Sequence, residues 1–326
     1  MTKLKTWLIA VLALQLFLAG SLMAFNYQRE AGSEPVKLFD KNSVTVNRIE
    51  ISDGKQSITV AKQGDNWQLP DQSELPATES KVTATIDSIA DLAMVWPVST
   101  TSSSHERFEV ADDKFQREVK LYAGANEIAH FYLGTSPGFR KVHFRQAGAD
   151  EVYAVSLNTF DFPVAADEWL EKSLLDVADV DSIQGPDFRI KKDGDDWQFD
   201  ADSVTATETA STLNEDKAKQ LATAFSNFHV TDFSDTAPTG EPISMEVAAA
   251  GNTWQFKFYQ ADDKYYVQRN DMPQTFSLSK YDFERIAGVK KETLVLAVEN
   301  NTESDADENA ASLPSVDIKN DTKPAQ

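Results

Sequence analysis

Hydrophobic and polar residues alternate in two similar stretches of the chain. Residues 58–70 read ITVAKQGDNWQLP and residues 188–200 read FRIKKDGDDWQFD, so each stretch places a glycine and an aspartate between two alternating runs. Alternation with a period of two is typical of a β-strand with one buried face, and glycine supplies the positive φ of a tight turn. Each stretch therefore predicts an antiparallel hairpin, and the chain contains the same hairpin twice.

The similarity continues after the two hairpins. In each half, apolar residues next recur three or four positions apart, which is the spacing of one face of a helix. Asn214 has a side chain suited to a helix N-cap and precedes the second of these segments. The helix positions are Val82, Ile86, Ile89 and Ala93 in the first half, and Leu221, Phe225 and Phe228 in the second.

The period of two then returns in both halves. Further strands are predicted at 118–134 and 142–157 in the first half, and at 244–259 and 265–280 in the second. An aromatic–aspartate–aromatic motif follows in each half and predicts the start of a closing helix. The motifs are Phe160-Asp161-Phe162 and Tyr281-Asp282-Phe283. The chain is therefore predicted to be α+β, with two tandem, similar modules of antiparallel sheet and helices on one face, at residues 41–175 and 176–297.

An uncharged run of 19 residues, Trp7–Phe25, begins near the N terminus and follows Lys3 and Lys5. As a helix it would be about 28 Å long, close to the bilayer hydrocarbon thickness of about 30 Å. A transmembrane anchor is therefore predicted at 7–25. Its apolar residues include Trp7, Leu8, Ile9, Leu12, Leu14, Leu16, Phe17, Leu18, Leu22 and Phe25.

The position of the lysines predicts the orientation of this anchor. Basic residues favour the cytoplasmic side, so residues 1–6 are predicted to be cytoplasmic and the bulk of the chain periplasmic. The protein is then a single-pass protein of the bacterial inner membrane, with a tether at 26–40. A cleavable signal peptide is the alternative, since Ala19-Gly20-Ser21 has the small residues of a cleavage site. The apolar residues 22–25 continue past that site and favour the anchor.

The composition excludes several kinds of chemistry. The chain has 52 acidic and 31 basic residues and a net charge of −21, which disfavours nucleic-acid binding because phosphates would be repelled. It has no cysteine, which excludes disulfides, thiolate metal sites and thiol nucleophiles. Residues 298–326 are acidic and lack aromatic residues, and they are predicted to form a disordered tail.

Candidate catalytic and metal-binding residues are few. Residues 134–138, GTSPG, match the nucleophile elbow of serine hydrolases. Pro137 has no N–H to serve as an oxyanion donor, and the strand-like residues that follow predict a hairpin loop instead. His130 and His143 could lie on neighbouring strands, but without an obvious carboxylate between them they make a weak zinc site. Catalytic residues, cofactors and metals are therefore not expected.

A basic and aromatic segment stands out in this acidic chain. It contains Phe139, Arg140, Lys141, His143 and Arg145, and it is predicted to form a strand edge. Two interpretations remain open. The basic side chains could simply alternate outward from a strand, or they could form a patch that binds a lipid headgroup, an acidic glycan or a partner domain. On the second interpretation, charge reversal at Arg140 and Arg145 is expected to weaken partner capture and leave folding intact.

Several short motifs form a recognisable series along the first half. They are Leu92-Ala93, Leu133-Gly134, the basic strand 139–145, Val152-Tyr153-Ala154-Val155, and Trp169 with Leu174 and Leu175. The series resembles an uncharacterised bacterial family, described as a domain of unknown function. The resemblance implies a single-pass anchored protein with a large extracytoplasmic part, of a kind that often occurs beside genes for ABC-type transporters of the gliding-motility kind. The resemblance covers mainly residues 75–175 and, more loosely, the second half, and it implies an accessory subunit without a catalytic residue.

The sequence thus predicts a non-catalytic, membrane-anchored accessory protein with protein partners, expected among the components of an ABC-type transport complex. The alternative is an extracytoplasmic module that binds a glycan or a small ligand in a cleft between the two modules. A hydrolase whose polar cluster is assembled only by folding is a further alternative. The tryptophans separate the first two: Trp67, Trp197 and Trp254 are predicted to anchor the core, whereas an exposed tryptophan in a groove would favour a glycan.

Overall fold

The computed structural model describes residues 36–200, 212–236 and 238–296, together with the isolated positions Trp7, Gln15, Phe17, Gly20 and Ser21. Within these residues, two large antiparallel sheets hold most of the strands. A hydrophobic core packs against one face of each sheet. The predicted class, mostly antiparallel sheet with a few helices, is therefore confirmed.

The elements of the described residues are as follows. In the first half, the strands are β1 (Arg48–Ser52), β2 (Ser57–Gln63), β3 (Asn66–Leu69), β4 (Leu75–Pro76), β5 (Pro97–Ser99), β6 (Val110–Ala111), β7 (Lys114–Phe115), β8 (Arg117–Ala123), β9 (Asn126–Leu133), β10 (Val142–Gln146) and β11 (Val152–Val155). In the second half, they are β12 (Val180–Gln184), β13 (Arg189–Asp193), β14 (Asp196–Phe199), β15 (Val230–Ser234), β16 (Ile243–Ala249), β17 (Asn252–Ala261), β18 (Lys264–Arg269) and β19 (Thr275–Leu278). The helices are α1 (Glu79–Ala90), α2 (His105–Phe108), α3 (Glu215–Phe225), α4 (Lys280–Ile286) and α5 (Lys291–Leu294).

The two sheets share one topology. The first has the strand order β4-β3-β2-β1-β8-β9-β10-β11-β5, and the second has the order β14-β13-β12-β16-β17-β18-β19-β15. Apart from the short β4, every strand of one sheet has a counterpart at the same place in the other. The register agrees as well, because Ile49 lies opposite Val60 and Leu121. Ile183 lies in the same way opposite Ile190 and Val247, and this correspondence supports a duplicated module.

A helix of three turns packs against each sheet. α1 buries Val82 and Ile89 against the first sheet, and α3 buries Leu221 and Phe225 against the second. The predicted N-cap of α3 is confirmed, since the side chain of Asn214 accepts a hydrogen bond from the backbone N–H of Lys217 at 3.2 Å. Burial of a side chain as large as phenylalanine stabilises the fold by about 1.5–3 kcal/mol.

Both helices are shorter than the apolar spacing predicts. α1 ends at Ala90, before Ala93, and α3 ends at Phe225, before Phe228. Phe228 is nevertheless buried, with its ring 6.4 Å from that of Phe225. The apolar positions therefore mark the core correctly, whereas the ends of the helices depend on the turns that follow.

The predicted closing helix forms in the second half but not in the first. Tyr281-Asp282-Phe283 begins α4, whereas the corresponding residues of the first half form the short 3-10 turn Thr159–Asp161. Pro163 is the reason, since proline lacks an N–H and disfavours helical geometry at the residue before it. Phe162 is still buried, as Phe283 is, so the packing role survives without the helix.

Residues 102–115 form an insertion in the first half, which contains α2, β6 and β7. Between β15 and β16, the described part of the second half has no corresponding helix or strand. Val110 of the insertion packs with Tyr132 and Val152 on the face of the first sheet that is turned away from α1, called here the outer face. Part of that outer face is therefore buried.

The connecting segment, Trp169–Val177, binds both halves through backbone hydrogen bonds. Thr78 N donates to Trp169 O at 2.8 Å, on the side of the first half. On the other side, Val177 N donates to Phe225 O at 2.9 Å and Val230 N donates to Lys172 O at 3.0 Å. These bonds make the connecting segment part of the fold of both halves.

The chain joins the first half earlier than the predicted boundary at residue 41. Val36 and Met94 form an antiparallel bridge, and Phe39 is buried in the first core. Within the described residues, no helix has both the length and the apolar character needed to cross a membrane. The predicted anchor at 7–25, apart from the isolated positions named above, lies outside the described residues, as do 1–6, 26–35 and the predicted acidic tail at 298–326.

Candidate functional site

The loop between β9 and β10 carries the exposed part of the predicted basic segment. Gly138 and Lys141 form a bridge, and Phe139 and Arg140 occupy the tip with φ values of 52° and 56°. A two-residue turn with both φ values positive is the type I′ geometry, which normally uses Asn-Gly because other side chains are strained there. Phe139 is 100% exposed. The loop thus holds an aromatic side chain in water, next to two basic residues.

The predicted strand edge is wrong in its position. β10 lies inside the sheet, between β9 and β11. Phe139, Arg140 and Lys141 are exposed, but His143 and Arg145 are only 7% and 3% exposed. The alternation correctly puts these two side chains on the outer face, and the insertion then covers them. The five residues therefore do not form one surface, and charge reversal at Arg145 would disturb folding.

Arg145 attaches the insertion to the sheet. Its Nε donates to Val110 O at 2.5 Å, its Nη1 donates to Ala149 O at 3.2 Å, and its Nη2 pairs with the carboxylate of Asp112. The hydrogen bond from Arg145 lowers the pKa of Asp112. Burial, together with the charges of Glu118 and Asp112, raises the pKa of Tyr132 to about 12. The arrangement is that of a structural ion pair.

The two histidines on β9 and β10 have separate surroundings. His143 Nδ1 lies 2.9 Å from Thr135 Oγ1, and its ring lies 4.2 Å from that of Phe108. Burial lowers the pKa of His143. His130 Nε2 lies 2.8 Å from Glu118 Oε1, on a different part of the outer face. Among the described residues, no group of three or more His, Asp or Glu side chains could hold a metal ion.

Residues 134–138 form a hairpin loop, as predicted. Ser136 Oγ donates to Lys141 O at 2.7 Å and accepts from Gly138 N at 3.1 Å, so the hydroxyl stabilises the turn. Gly134 has a packing role, because a Cβ there would lie 2.0 Å from Phe108 O. The backbone of the insertion approaches β9 at this point, and only glycine leaves room for it.

Further exposed aromatic residues lie at the same end of the first sheet. β9 and β11 end there and β10 and β5 begin there, because neighbouring strands are antiparallel. Trp96 comes just before β5 and is 49% exposed, and Phe160 comes shortly after β11 and is 83% exposed. The aromatic end is defined here as Trp96, Phe139, Arg140, Lys141 and Phe160. Only Phe139, Arg140 and Lys141 of this end belong to the basic segment predicted from the sequence.

A second exposed surface lies at the edge of the second sheet. β15 is the edge strand, and a cleft of about 840 Å³ lies beside it. Its lining includes Phe233 of β15 and Tyr265 and Tyr266 of β18. Asp262 and Asp263 form the rim at the β17–β18 turn, with φ values of 48° and 60°. This β15 cleft lies within the second half and not between the two halves, where a ligand cleft was predicted.

The predicted tryptophan anchors agree with the structure. Trp67 and Trp197 are buried at corresponding positions of the two hairpins, and Trp254 is partly buried against the second core. Trp169 is also fully buried, and its Nε1 donates to Pro163 O at 2.9 Å. Trp67, Trp169 and Trp197 are part of the two cores and are not available to stack on a ligand.

The fold is thus one of paired antiparallel-sheet units that share a topology and carry exposed surfaces at a sheet end and a sheet edge. A family described as a domain of unknown function (DUF4340) matches residues 67–245, more than half of the chain, and the chain belongs to this family. The match begins in β3 and ends in β16, so it includes most of the first half and part of the second. No curated protein and no solved structure matches the chain.

Proposed function

We propose that the chain is a non-catalytic, membrane-anchored accessory protein that displays two similar modules outside the cytoplasm and binds a partner protein. Components of an ABC-type transport complex are the expected partners. The lysines followed by an uncharged run of 19 residues support the anchor. The observation that supports partner binding is the edge strand β15 beside its open cleft.

An edge strand presents backbone N–H and C=O groups that can pair with a strand of another protein. The first residues of β15 are occupied by the connecting segment, since Lys172 Nζ donates to Thr231 O at 2.6 Å. The rest of the strand, from Asp232 to Ser234, lines the β15 cleft. A partner strand could therefore add to β15 along Asp232–Ser234.

The membrane anchor strengthens such an interaction. Confinement of two proteins to one membrane raises their effective concentration, so a weak contact is enough to hold them together. A small sheet edge can then serve as a binding surface, although it would give low affinity in solution. The anchor and the edge strand therefore support the same role.

Affinity purification of the full chain from membranes in mild detergent tests the proposal. The Asp232→Lys/Ser234→Lys variant places lysines on the edge strand, where they oppose strand addition. Both side chains are exposed, so the fold is expected to persist. The control, Asp195→Lys/Gln198→Lys, makes the same change in charge at exposed positions near the β13–β14 turn.

The proposal expects specific membrane partners with the unmodified chain and the control, and their loss with the β15 variant. Equal capture by all three chains would contradict the assignment of β15. Absence of any specific partner of the unmodified chain would contradict the accessory role itself.

A glycan or small ligand in the β15 cleft is the second candidate function. The observation that favours it is the position of Tyr266 beside the paired carboxylates Asp262 and Asp263, since aromatic faces and carboxylates are suited to binding sugars. The burial of Trp67, Trp169 and Trp197 favours the partner protein instead. Calorimetric titration of the full chain with glycan fragments, with Tyr266→Ala as the control, distinguishes these two candidates.

A further inference from the structure

We propose that the aromatic end of the first half lies against the lipid bilayer, with Trp96, Phe139 and Phe160 in the interfacial region and Arg140 and Lys141 on anionic phospholipid headgroups. The inference rests on the proposed membrane anchor and adds to it a lipid-binding surface on the folded part of the chain. Four observations support it: the position of the loops, the path of the chain, the exposure of the aromatic residues and the distribution of charge.

The loops that carry the aromatic residues meet at one end of the first sheet. Val142 lies opposite Val155, so the start of β10 is beside the end of β11. Tyr153 lies opposite Pro97, which puts Trp96 at the same end, one strand further along. Phe160 follows β11 at this end. The strand order therefore brings three aromatic side chains, each on a different loop, to the same end of the sheet.

The chain reaches the folded part at this same end. Val36 N donates to Met94 O at 3.0 Å, and Met94 N donates to Val36 O at 3.3 Å. Met94 comes two residues before Trp96. Residues 26–35 separate Val36 from the uncharged run and can span at most about 35 Å when extended. A membrane-spanning run would therefore hold Val36, at the aromatic end, within about 35 Å of the bilayer.

The exposure of these aromatic residues is unfavourable in water and favourable at a membrane. Phe139 is fully exposed and stands on a turn with two left-handed residues that are not glycine. Such a turn is strained, and strained backbone persists where the surrounding structure or function requires it. Tryptophan is enriched at the membrane–water interface, and phenylalanine is among the residues that interfacial segments bury at the headgroup boundary. The turn directs Phe139 away from the sheet, as insertion requires.

The charge distribution selects this end for an anionic surface. The chain carries a net charge of −21, so most of its surface is repelled by anionic lipid. Lys37, next to the Val36 bridge, adds a third basic residue to Arg140 and Lys141 at this end. Asp40 and Asp161 are exposed acids there and oppose them. Each basic residue near an anionic membrane strengthens binding by about fivefold.

The absence of cysteine from the chain allows a direct test with single labelled sites. Phe139→Cys is labelled with the fluorophore NBD, which replaces one aromatic group by another. Ala125→Cys is the matched control, because it lies at the exposed tip of the β8–β9 hairpin at the opposite end of the same sheet. Both full-length variants are reconstituted into vesicles of phosphatidylglycerol and phosphatidylcholine, with and without nitroxide-labelled lipid.

Vesicle flotation is measured first and reports the anchor alone. Nitroxide quenching of NBD is then expected to be several-fold stronger at position 139 than at position 125. Arg140→Glu/Lys141→Glu in the Phe139→Cys background is expected to remove about half or more of that quenching in anionic vesicles. The effect of the charge reversal is expected to disappear in vesicles of phosphatidylcholine alone.

Each outcome decides the inference. Flotation with equal quenching at positions 139 and 125 overturns the lipid-binding surface and leaves the anchor in place. Failure to float overturns both the anchor and the lipid-binding surface. Blue-shifted NBD emission at position 139 without quenching by nitroxide lipid would show contact with protein, and it would also overturn the inference.

Discussion

The guanidinium carbon of Arg145 lies 4.7 Å from the centroid of the Tyr132 ring, on the outer face of the first sheet. The two residues are direct neighbours across β9 and β10. Together with Asp112 they hold the insertion against the sheet. Arg140, only five positions before Arg145, is exposed at the tip of a turn. Two arginines of the same short segment therefore have different roles.

Replacement of these two arginines is expected to have unequal effects on stability. Arg145→Ala leaves the buried Val110 carbonyl without its donor and is expected to lower the free energy of unfolding by about 2–4 kcal/mol. Arg140→Ala removes an exposed side chain and is expected to change it by less than about 0.5 kcal/mol. Urea denaturation followed by tryptophan fluorescence measures both. Equal destabilisation by the two variants would contradict the structural role of Arg145.

Tyr132 is expected to make stability fall between pH 10 and pH 12. Its pKa is raised to about 12 in the folded chain, whereas the unfolded chain has the ordinary value near 10. The unfolded state therefore ionises first, and the stabilisation is present below pH 10 and lost as the pH rises to 12. The unmodified chain is expected to lose about 2 kcal/mol more than Tyr132→Phe over this interval. Urea denaturation at a series of pH values measures the free energy of unfolding of both chains. An equal fall for both chains between pH 10 and pH 12 would refute the prediction.

The turn at Phe139 and Arg140 is expected to become more stable with residues suited to it. Phe139→Asn/Arg140→Gly supplies the Asn-Gly pair that type I′ turns prefer, and is expected to raise the free energy of unfolding by about 1 kcal/mol. The same variant removes the aromatic and one basic side chain, so lipid contact at this end is expected to weaken. Thermal unfolding measures the first effect, and nitroxide quenching of NBD at Phe160→Cys in the full chain measures the second. A loss of stability would show that the turn is not strained.

Gly134 is expected to tolerate no side chain. The Cβ of alanine would lie 2.0 Å from Phe108 O and 2.5 Å from Glu109 O, and both are backbone atoms that cannot turn away. Gly134→Ala is therefore expected to lower the free energy of unfolding by about 3 kcal/mol and to expose the insertion to proteolysis. Gly124→Ala is the control, since a Cβ there meets nothing within 4 Å and only its positive φ is strained. Gly124→Ala is expected to lower the free energy of unfolding by about 1 kcal/mol. Similar costs for both variants would argue against close packing at Gly134.

The parts of the fold that local sequence determines could be predicted. The Gly64 and Gly194 turns and the alternation around them specify two hairpins, because both signals act over a few residues. The burial of Arg145 could not be predicted in this way, since the residues that cover it lie more than thirty positions earlier. The missing closing helix follows from Pro163, a local signal that the aromatic motif alone did not reveal.

The candidate surfaces were predicted less completely than the fold. The exposure of Phe139 follows from a turn whose residues, Phe-Arg, do not resemble a type I′ sequence. Trp96 and Phe160 join it only because β5, β10 and β11 are neighbours, and strand order is a property of the whole sheet. The edge position of β15 has the same origin. Pairing between distant segments therefore determines which side chains share a surface.

The bridge between Val36 and Met94 has a mechanical consequence. A pull on the chain before Val36 would load the two backbone hydrogen bonds of this bridge first. Buried Phe39 comes next along the chain, and β1 is reached only after that. Force would therefore detach residues 36–47 one contact at a time. The nine-stranded sheet formed by the described residues would be loaded last.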